Sequence, residues 1–207
     1  MATEGTARNS RRPLTRSDVL SAAEQVVEEN GWDGLTMATL AQNLGIRAPS
    51  LYHHMANLDE IRALLQARTL SGLGAALAEA ADGQRGRDGL VAVAHAHRAF
   101  ALSIPHRYLG FGRSPINQEV LDVAGVTAIE VVHGMLLSVG VPDTMLEEVA
   151  LMLFVSIHGA ITVELTDYFP EGTRYATLFD GVVDSSIRAI EETGARATGV
   201  LGDRKGQ

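Results

Sequence analysis

The chain has 207 residues, of which 46% are hydrophobic and 20% charged, a composition typical of globular proteins that excludes a wholly disordered chain. It contains no cysteine, which excludes disulfide scaffolds, cysteine-ligated metal centres and thiol nucleophiles. The formal net charge of −8 disfavours nucleic acid as a partner, but only if the charge is evenly distributed.

The charge is in fact uneven. Residues 1–17 carry four Arg and one Glu, and no Asp or Glu occurs from Gly34 to Ala56, where Arg47 is present. An acid-free segment behind a basic stretch suits a surface that faces phosphates, because a carboxylate there would repel them. From charge alone, a DNA-facing surface and a chance gap in the acidic residues explain this pattern equally well.

The N-terminal residues lack the apolar core of a signal peptide, so we expect a cytoplasmic protein. The most apolar stretch, residues 149–163, has 15 residues without a formal charge, between Glu148 and Glu164. A membrane-spanning helix needs roughly 20 such residues. We therefore expect no membrane contact and predict a helix buried on several sides, in a core or in an oligomer interface.

Caps, glycines and prolines divide the chain into predicted helices, and no stretch alternates strictly enough to predict a strand. The fold class is predicted to be all-α with about nine helices, including at most one short turn between residues 104 and 115. The longer helices are expected at about residues 15–30, 36–44, 48–55, 58–81, 88–103, 117–139, 143–168 and 173–193. The predicted organisation is a flexible basic arm (1–13), a helix-turn-helix DNA-binding domain (14–63), a helical ligand-binding and dimerisation domain (64–194) and a flexible tail (195–207).

The segment from Leu35 to Ile61 carries the most informative pattern. Two short helices joined at Gly45 predict a helix-turn-helix, since glycine adopts the left-handed turn conformation and Ala41 is small where the helices cross. Apolar residues fill the inner positions, and the second helix is left with polar outward positions. Those positions would face the major groove of DNA.

These residues resemble the tetracycline repressor (TetR) family of transcriptional regulators. The resemblance is carried by four segments: Gly31-Trp32-Asp33-Gly34-Leu35-Thr36, Leu40-Ala41, Leu44-Gly45-Ile46, and above all Leu51-Tyr52-His53-His54-Met55 followed by Asn57. A looser likeness to one C-terminal class of the family rests on Ala99-Phe100-Ala101, Pro105 to Tyr108, His158-Gly159 and Glu164-Leu165. The Lys usual at the start of the fourth helix is Leu58 here, although the helix start capped by Asn57 could still hold a phosphate.

On this resemblance, Tyr52 is expected to contact a phosphate; an ordinary core tyrosine is the alternative. Arg47 is expected to contact either a guanine, through two hydrogen bonds, or a phosphate. Ser50 and His53 are predicted to contact bases or phosphates, while His54 either does so or supports the helix pair. The full set of predicted DNA-binding residues is Thr36, Thr39, Arg47, Ala48, Pro49, Ser50, Tyr52, His53 and His54.

Histidines in the C-terminal half raise the question of a metal or a ligand. No two of them have chelating helical spacing and no cysteine is present, so we expect no metal and no cofactor. For each histidine singly, a satisfied core position is the better explanation. Together with aromatic residues they predict a pocket for a mostly apolar small molecule. The predicted lining is His97, Phe100, Tyr108, Phe111, His133, Met152 and His158.

The last two helices are rich in apolar and small residues, which predicts a four-helix bundle across a two-fold axis, as the resemblance also implies. A purely intramolecular core is the alternative. The predicted homodimer interface comprises Val155, Gly159, Thr162, Leu178, Val182, Ser185 and Ile187.

No motif of an enzyme active site is present, so no enzymatic activity is expected. The sequence predicts a repressor that binds a pseudo-palindromic operator in double-stranded DNA as a dimer and is released by a small effector molecule. The alternatives are an all-α protein that binds a small molecule or lipid without DNA function, and a helical dimer without a cavity.

Overall fold

The computed structural model describes residues 13–197 and 199. Over these residues the chain forms nine α-helices, two short 3₁₀ turns and no strand, which confirms the predicted all-α class. The 3₁₀ turns are Trp32–Gly34 and Asp143–Met145. The helices are α1 (Arg16–Asn30), α2 (Met37–Leu44), α3 (Ala48–Leu51), α4 (Leu58–Ala81), α5 (Gly86–Ser103), α6 (Pro105–Phe111), α7 (Gln118–Ser138), α8 (Leu146–Leu165) and α9 (Tyr175–Ala197).

Several helix ends differ from the prediction. α3 ends at Leu51, and the chain to Met55 continues as a turn in which Leu51 accepts hydrogen bonds from the N–H groups of His54 (2.8 Å) and Met55 (3.0 Å). Residues 105–111 form a true helix rather than a short turn, because Pro105 occupies the first helical position, where no N–H is needed. Asp143 begins a 3₁₀ turn instead of capping α8.

The C-terminal helix is longer than predicted. α9 continues to Ala197 and so includes the first residues of the expected tail. The rest of that tail, residues 198 and 200–207, and residues 1–12 of the expected basic arm lie outside the described residues.

The first three helices and the start of α4 enclose one hydrophobic core. Thr15 caps α1 through a capping box with Asp18, as predicted. The core side chains are almost completely buried and come from every element of this unit: Val19, Ala23, Val26, Val27, Trp32, Leu35, Leu40, Leu51, Met55, Ile61 and Leu65. The unit is the predicted helix-turn-helix.

The remaining helices form a larger bundle. α4 packs along α7 and α5, α8 packs along α9, and α5 also contacts α7, α8 and α9, so α5 is central. α4 passes from one unit into the other without a break: its Ile61 belongs to the N-terminal core, and its Leu73 and Leu77 to a C-terminal core. The domain boundary near residue 64 stays a prediction.

α7 and α8 are unusually apolar. By length and composition alone, the segments Gln118–Ser138 and Asp143–Leu165 are able to cross a membrane, which is weak evidence for doing so. Both pack against other helices of the same chain, yet each leaves large apolar side chains exposed, such as Val123 (78%) and Val155 (66%). The sequence predicted that the helix now seen as α8 is buried on several sides. Within the single chain only one side of α8 is buried.

Candidate functional site

The helix-turn-helix is built by caps and one glycine. Thr36 accepts a hydrogen bond from the N–H of Thr39, and the Thr39 hydroxyl accepts one from the N–H of Thr36 (2.9 Å), so α2 starts with a closed capping box. Gly45 ends α2 in the left-handed conformation (φ 64°, ψ 33°), where a Cβ is disfavoured. The N–H of Ile46 returns to the carbonyl oxygen of Ala41 (3.0 Å), which turns the chain into α3.

The outward side of α3 and the following turn is free. Arg47, Pro49, Ser50 and His53 are exposed, and Tyr52 keeps 57% of its surface accessible. Within the described part of the chain, the side chains of Arg47, Ser50, Tyr52 and His53 make no hydrogen bond or ion pair. An exposed tyrosine without a partner is available to a phosphate or base.

Other members of the predicted DNA-binding set already have structural roles. The Thr39 hydroxyl donates to the carbonyl oxygen of Gly34 (2.9 Å) and the Thr36 side chain caps α2, so both threonines hold the motif together. Ala48 packs against the N-terminal core. The carbonyl oxygen of His54 accepts a hydrogen bond from Arg16 (2.7 Å), which ties the end of the motif to α1.

The start of α4 combines a capping side chain with two acidic residues, Asp59 and Glu60. The side-chain oxygen of Asn57 accepts a hydrogen bond from the N–H of Glu60 (2.8 Å). The Glu60 carboxylate in turn accepts a hydrogen bond from the N–H of Ala56 and forms an ion pair with Arg16. The hydrogen bond from Arg16 holds the pKa of Glu60 below its usual range. Leu58 packs against the N-terminal core. The N–H of Glu60 is therefore taken by the cap, and the expectation of a phosphate at this helix start stays a prediction.

An apolar cavity of about 190 Å³ lies between α4, α5, α7 and α8; we call it the bundle cavity. The polar side chains in its wall are His97, His133 and Glu147. The rest of the wall is apolar: Leu70, Leu73, Leu77, Val93, Ala94, Gly125, Ala128, Ile129, Val132, Ala150, Leu151, Leu153, Phe154 and Ile157. A cavity with a few polar groups in an apolar wall is the usual form of a small-molecule site.

Two of the seven predicted ligand residues, His97 and His133, line this cavity. Tyr108 and Phe111 are buried in the core instead, at 0% and 8% exposure, and Phe100 packs between two hydrophobic clusters. The other two lie elsewhere on α8: His158 bonds Tyr108, and Met152 is 62% exposed beside α9.

Tyr108 sits at the centre of three polar side chains, which we call the His–Tyr–His triad; His97 and Tyr108 are buried and His158 is half-buried. Its hydroxyl lies 2.7 Å from Nε2 of His97 and 2.8 Å from Nδ1 of His158. Burial, and to a smaller extent the neighbouring His158, lowers the pKa of His97 to about 3. Burial also lowers the pKa of His158 and raises that of Tyr108. All three side chains are therefore neutral at pH 7: the hydroxyl donates to one ring and accepts from the other.

α6, which carries Tyr108, also contacts the helix-turn-helix unit. Gly110 lies directly against the ring of Trp32, and Arg107 pairs with Glu24 (2.6 Å) and Glu28 (3.1 Å) of α1. Beyond the helix, Arg113 makes two hydrogen bonds to Asp33 (2.7 and 2.8 Å). These contacts join the cavity-bearing bundle to the N-terminal unit at a second place besides α4.

The predicted dimer residues lie on α8 and α9. Val155, Gly159, Leu178 and Ser185 are exposed, and Thr162 and Val182 are half-buried. Ile187 is completely buried in the core of the single chain, so it is corrected to a core residue: the inward side of the α9 stripe is covered by the chain's own helices. Of the exposed members, Ser185 lines a groove between α8 and α9, together with Met152 and Ser156 among others.

Sequence reasoning missed most of the cavity wall. Residues such as Ala128, Val132 and Phe154 read as ordinary core positions, because periodicity does not separate a wall from a packed core. A signal was available at Glu147, a carboxylate at the edge of the most apolar helix. No group of three potential metal ligands is found among the described residues.

Comparison with known proteins connects these features. A family model described as "Tetracyclin repressor-like, C-terminal domain" matches residues 90–201, and one described as "Bacterial regulatory proteins, tetR family" matches residues 19–68. The chain is 29% identical over 172 residues to an uncharacterized HTH-type transcriptional regulator of Mycobacterium tuberculosis, covering 82% of this chain and 79% of that protein.

A shorter and stronger likeness covers the N-terminal unit. Over 54 residues the chain is 50% identical to the tetracycline repressor protein class D of Escherichia coli, which covers 26% of this chain and 23% of the repressor. Among solved structures, apo ActR from Streptomyces coelicolor has the same fold, with a TM-score of 0.70, 17% identity and coverage of 91% of this chain and 100% of ActR. Since the C-terminal family model alone spans more than half of the sequence, the chain belongs to the TetR family of DNA-binding transcriptional regulators.

Proposed function

We propose that this protein is a repressor that binds a pseudo-palindromic operator as a homodimer and releases it when a small, mostly apolar molecule enters the bundle cavity. One observation carries the proposal: α6 joins the cavity to the DNA-binding unit. Its Tyr108 bonds the cavity residue His97, and its Gly110 packs against Trp32. A change at the cavity wall therefore has a direct route to the helix-turn-helix.

The proposed DNA contacts follow from exposure. α3 enters the major groove, Tyr52 binds a phosphate, and Ser50 and His53 contact bases or phosphates. Arg47 binds either a guanine or a phosphate. Thr36, Thr39, Ala48, Pro49 and His54 are proposed to flank these contacts at the DNA surface, with Thr36 and Thr39 also capping α2.

The proposed dimer uses the exposed side of α8 and α9. Val155 (66% exposed) and Leu178 (38% exposed) are large apolar side chains that a partner would remove from water. Packing these two helices against their symmetry mates gives a four-helix bundle. The two α3 helices of such a dimer must lie about 34–36 Å apart, or a multiple of this, to enter successive major grooves.

The proposed effector acts by its differential affinity for two arrangements of the dimer. A molecule that binds better when α6 is displaced lowers the affinity of the protein for the operator. Bound operator lowers the affinity of the protein for that molecule by the same factor. ActR has been solved in complex with (S)-DNPA, and this binding of a small molecule by a protein of the same fold supports the proposal of an effector here. A cytoplasmic location, a domain boundary near residue 64 and the absence of enzymatic activity are parts of the same proposal.

The experiment is a selection of bound sequences from a library of random DNA duplexes, followed by gel shift. We expect inverted repeats to be enriched. Arg47→Ala should relax the preference at one base pair per half-site by about 1–3 kcal/mol if the contact is to guanine, whereas Tyr52→Phe should weaken binding to all sequences alike. An unchanged preference in the Arg47 variant assigns this residue to a phosphate. The absence of any enriched sequence would favour the alternative of a small-molecule-binding protein without DNA function.

A further inference from the structure

We infer that the bundle cavity takes an uncharged, mostly apolar molecule with one hydroxyl or carbonyl group, which forms a hydrogen bond with Nδ1 of His97. The inference rests on the proposed function, since it names the chemical class of the effector. It is carried by the geometry of the His97 ring and by the place of this ring in the cavity wall.

The His97 ring is held in one orientation by its neighbours. Its Nε2 lies 2.7 Å from the Tyr108 hydroxyl, and the ring packs edge-on against the Tyr108 ring, with the two centroids 5.7 Å apart. The His97 ring also stacks on Phe154, another residue of the cavity wall, with a centroid distance of 6.0 Å. The other ring nitrogen, Nδ1, is therefore fixed in place, and a ligand that bonds it does not have to order the side chain first.

Nδ1 of His97 is available to a ligand. It makes no hydrogen bond or ion pair among the described residues. It is not sealed either, because the described side-chain nitrogens that are both closed to solvent and without a partner are Nε of Arg62 and Nε2 of His133. Since the His97 side chain borders the bundle cavity and only 6% of the residue is exposed, Nδ1 opens onto the cavity.

The His–Tyr–His triad allows Nδ1 of His97 to act either as a donor or as an acceptor. When the Tyr108 hydroxyl donates to Nε2 of His97, the ring proton lies on Nδ1 and is available to a carbonyl or hydroxyl oxygen. When the hydroxyl donates to Nδ1 of His158 instead, the proton of His97 lies on Nε2, and its Nδ1 accepts from a ligand hydroxyl. Both arrangements keep the three side chains neutral and both hydrogen bonds of Tyr108 intact.

The polar group of the ligand should carry no charge. Burial lowers the pKa of His97 to about 3, so the ring that meets the ligand is neutral at pH 7. A charged group at Nδ1 would lose most of its hydration against an apolar wall and gain only a neutral partner. An uncharged oxygen loses less hydration, and the hydrogen bond with His97 replaces the one it made with water.

The size of the cavity limits the apolar body of the ligand. A cavity of about 150 Å³ holds a benzene molecule, so one of about 190 Å³ holds a phenyl ring and the first carbons of a chain. The test therefore uses one carbon skeleton, a phenyl ring on a four-carbon chain, with four different groups at the same carbon. The probes are butylbenzene, 4-phenylbutan-2-ol, 4-phenylbutan-2-one and 4-phenylbutan-2-amine, each titrated into the full chain by calorimetry at pH 7.

We expect His97→Leu to weaken binding of the alcohol and of the ketone about tenfold, which is the order of one hydrogen bond sheltered from bulk water. Binding of butylbenzene should change by less than twofold, which also checks that the cavity of the variant is intact. His133→Leu, at the other histidine of the wall, is the matched control and should change all four affinities by less than twofold. In the parent protein the protonated amine should bind at least tenfold more weakly than the alcohol.

A second measurement needs no variant. The ketone only accepts hydrogen bonds, so its binding should move the ¹⁵N resonance of Nδ1 of His97 towards the range of a protonated ring nitrogen. Butylbenzene should leave the protonation of this nitrogen unchanged.

Each other result overturns the inference. An unmoved Nδ1 resonance with the ketone, or unchanged alcohol and ketone affinities in His97→Leu, refutes the hydrogen bond. Equal losses in His97→Leu and His133→Leu refute its assignment to His97, and an amine that binds as tightly as the alcohol refutes the uncharged class. In these cases the cavity still binds a small molecule and the proposed function stands. If no probe binds, the inference fails, and the DNA selection experiment decides separately whether the chain is an operator-binding regulator.

Discussion

The contact between α6 and the helix-turn-helix unit depends on the absence of a side chain at Gly110. An ideal Cβ at this position would lie 2.0 Å from Cε3 and 2.5 Å from Cδ2 of Trp32, whose side chain is buried. These are atoms of a rigid ring in a packed core, so they cannot move aside cheaply. Gly110→Ala should therefore push α6 away from the 3₁₀ turn that carries Trp32.

The magnitude follows from two opposing effects. Overpacking a core costs about 1–3 kcal/mol, and a 2.0 Å overlap with ring carbons places this variant at the upper end. Alanine recovers about 1 kcal/mol relative to glycine inside a helix. The net loss is thus about 2 kcal/mol, which for a chain of this length lowers the melting temperature by about 4–8 °C.

The assay is urea unfolding followed by tryptophan fluorescence, which reports on this contact because Trp32 is the single tryptophan of the chain. The emission of the folded variant should also shift to the red as the indole gains exposure. Gly134→Ala in α7 is the matched control, since its Cβ would meet no atom within 4 Å, and it should be neutral or up to about 1 kcal/mol more stable. The double variant Gly110→Ala/Trp32→Leu should lose less free energy of unfolding than the sum of the losses of the two single variants.

The reasoning is refuted if Gly110→Ala matches the parent in both urea midpoint and emission maximum. It is also refuted if the control loses as much stability as the variant, since the loss would then come from helical alanine itself and not from the ring of Trp32.

Three further predictions concern the bundle. Tyr108→Phe leaves ring nitrogens of His97 and His158 without their partner and should cost about 1–3 kcal/mol in urea unfolding; unchanged stability would mean that the triad is not needed. The pKa of His97 is about 3 in the folded chain and about 6.5 in the unfolded chain. Its neutral side chain therefore makes its whole contribution to the free energy of unfolding above pH 6.5. This contribution should fall by up to about 1.4 kcal/mol per unit as the pH drops from 6.5 towards 3, and His97→Gln should flatten this slope by about one proton in unfolding measured at several pH values. If the proposed dimer forms, Val155→Glu should convert it to a folded monomer in sedimentation velocity, whereas Val123→Glu, on the exposed side of α7, should leave it intact; dissociation of both variants or of neither would contradict the proposed interface.

The sequence by itself determined the all-α class, the caps of the N-terminal helices and the helix-turn-helix. Thr15, Thr36, Asn57 and Gly45 act through the backbone of residues within three or four positions, so their roles can be read locally. The same local logic identified the outward side of α3, since a core of apolar residues at helical spacing leaves the remaining positions in water. It also supplied the family, through a short motif with fixed spacing.

Only the tertiary structure decided which residues of the C-terminal half share a cavity. Tyr108 and His133 look alike in the sequence, as polar groups among apolar ones, yet one is sealed between two histidines and the other opens onto the cavity. Ile187 and Val182 lie in one apolar stripe, but only Ile187 is completely buried. The crossing angles and distances between long helices set these outcomes, and they arise from the packing of all the helices together, which no local pattern records.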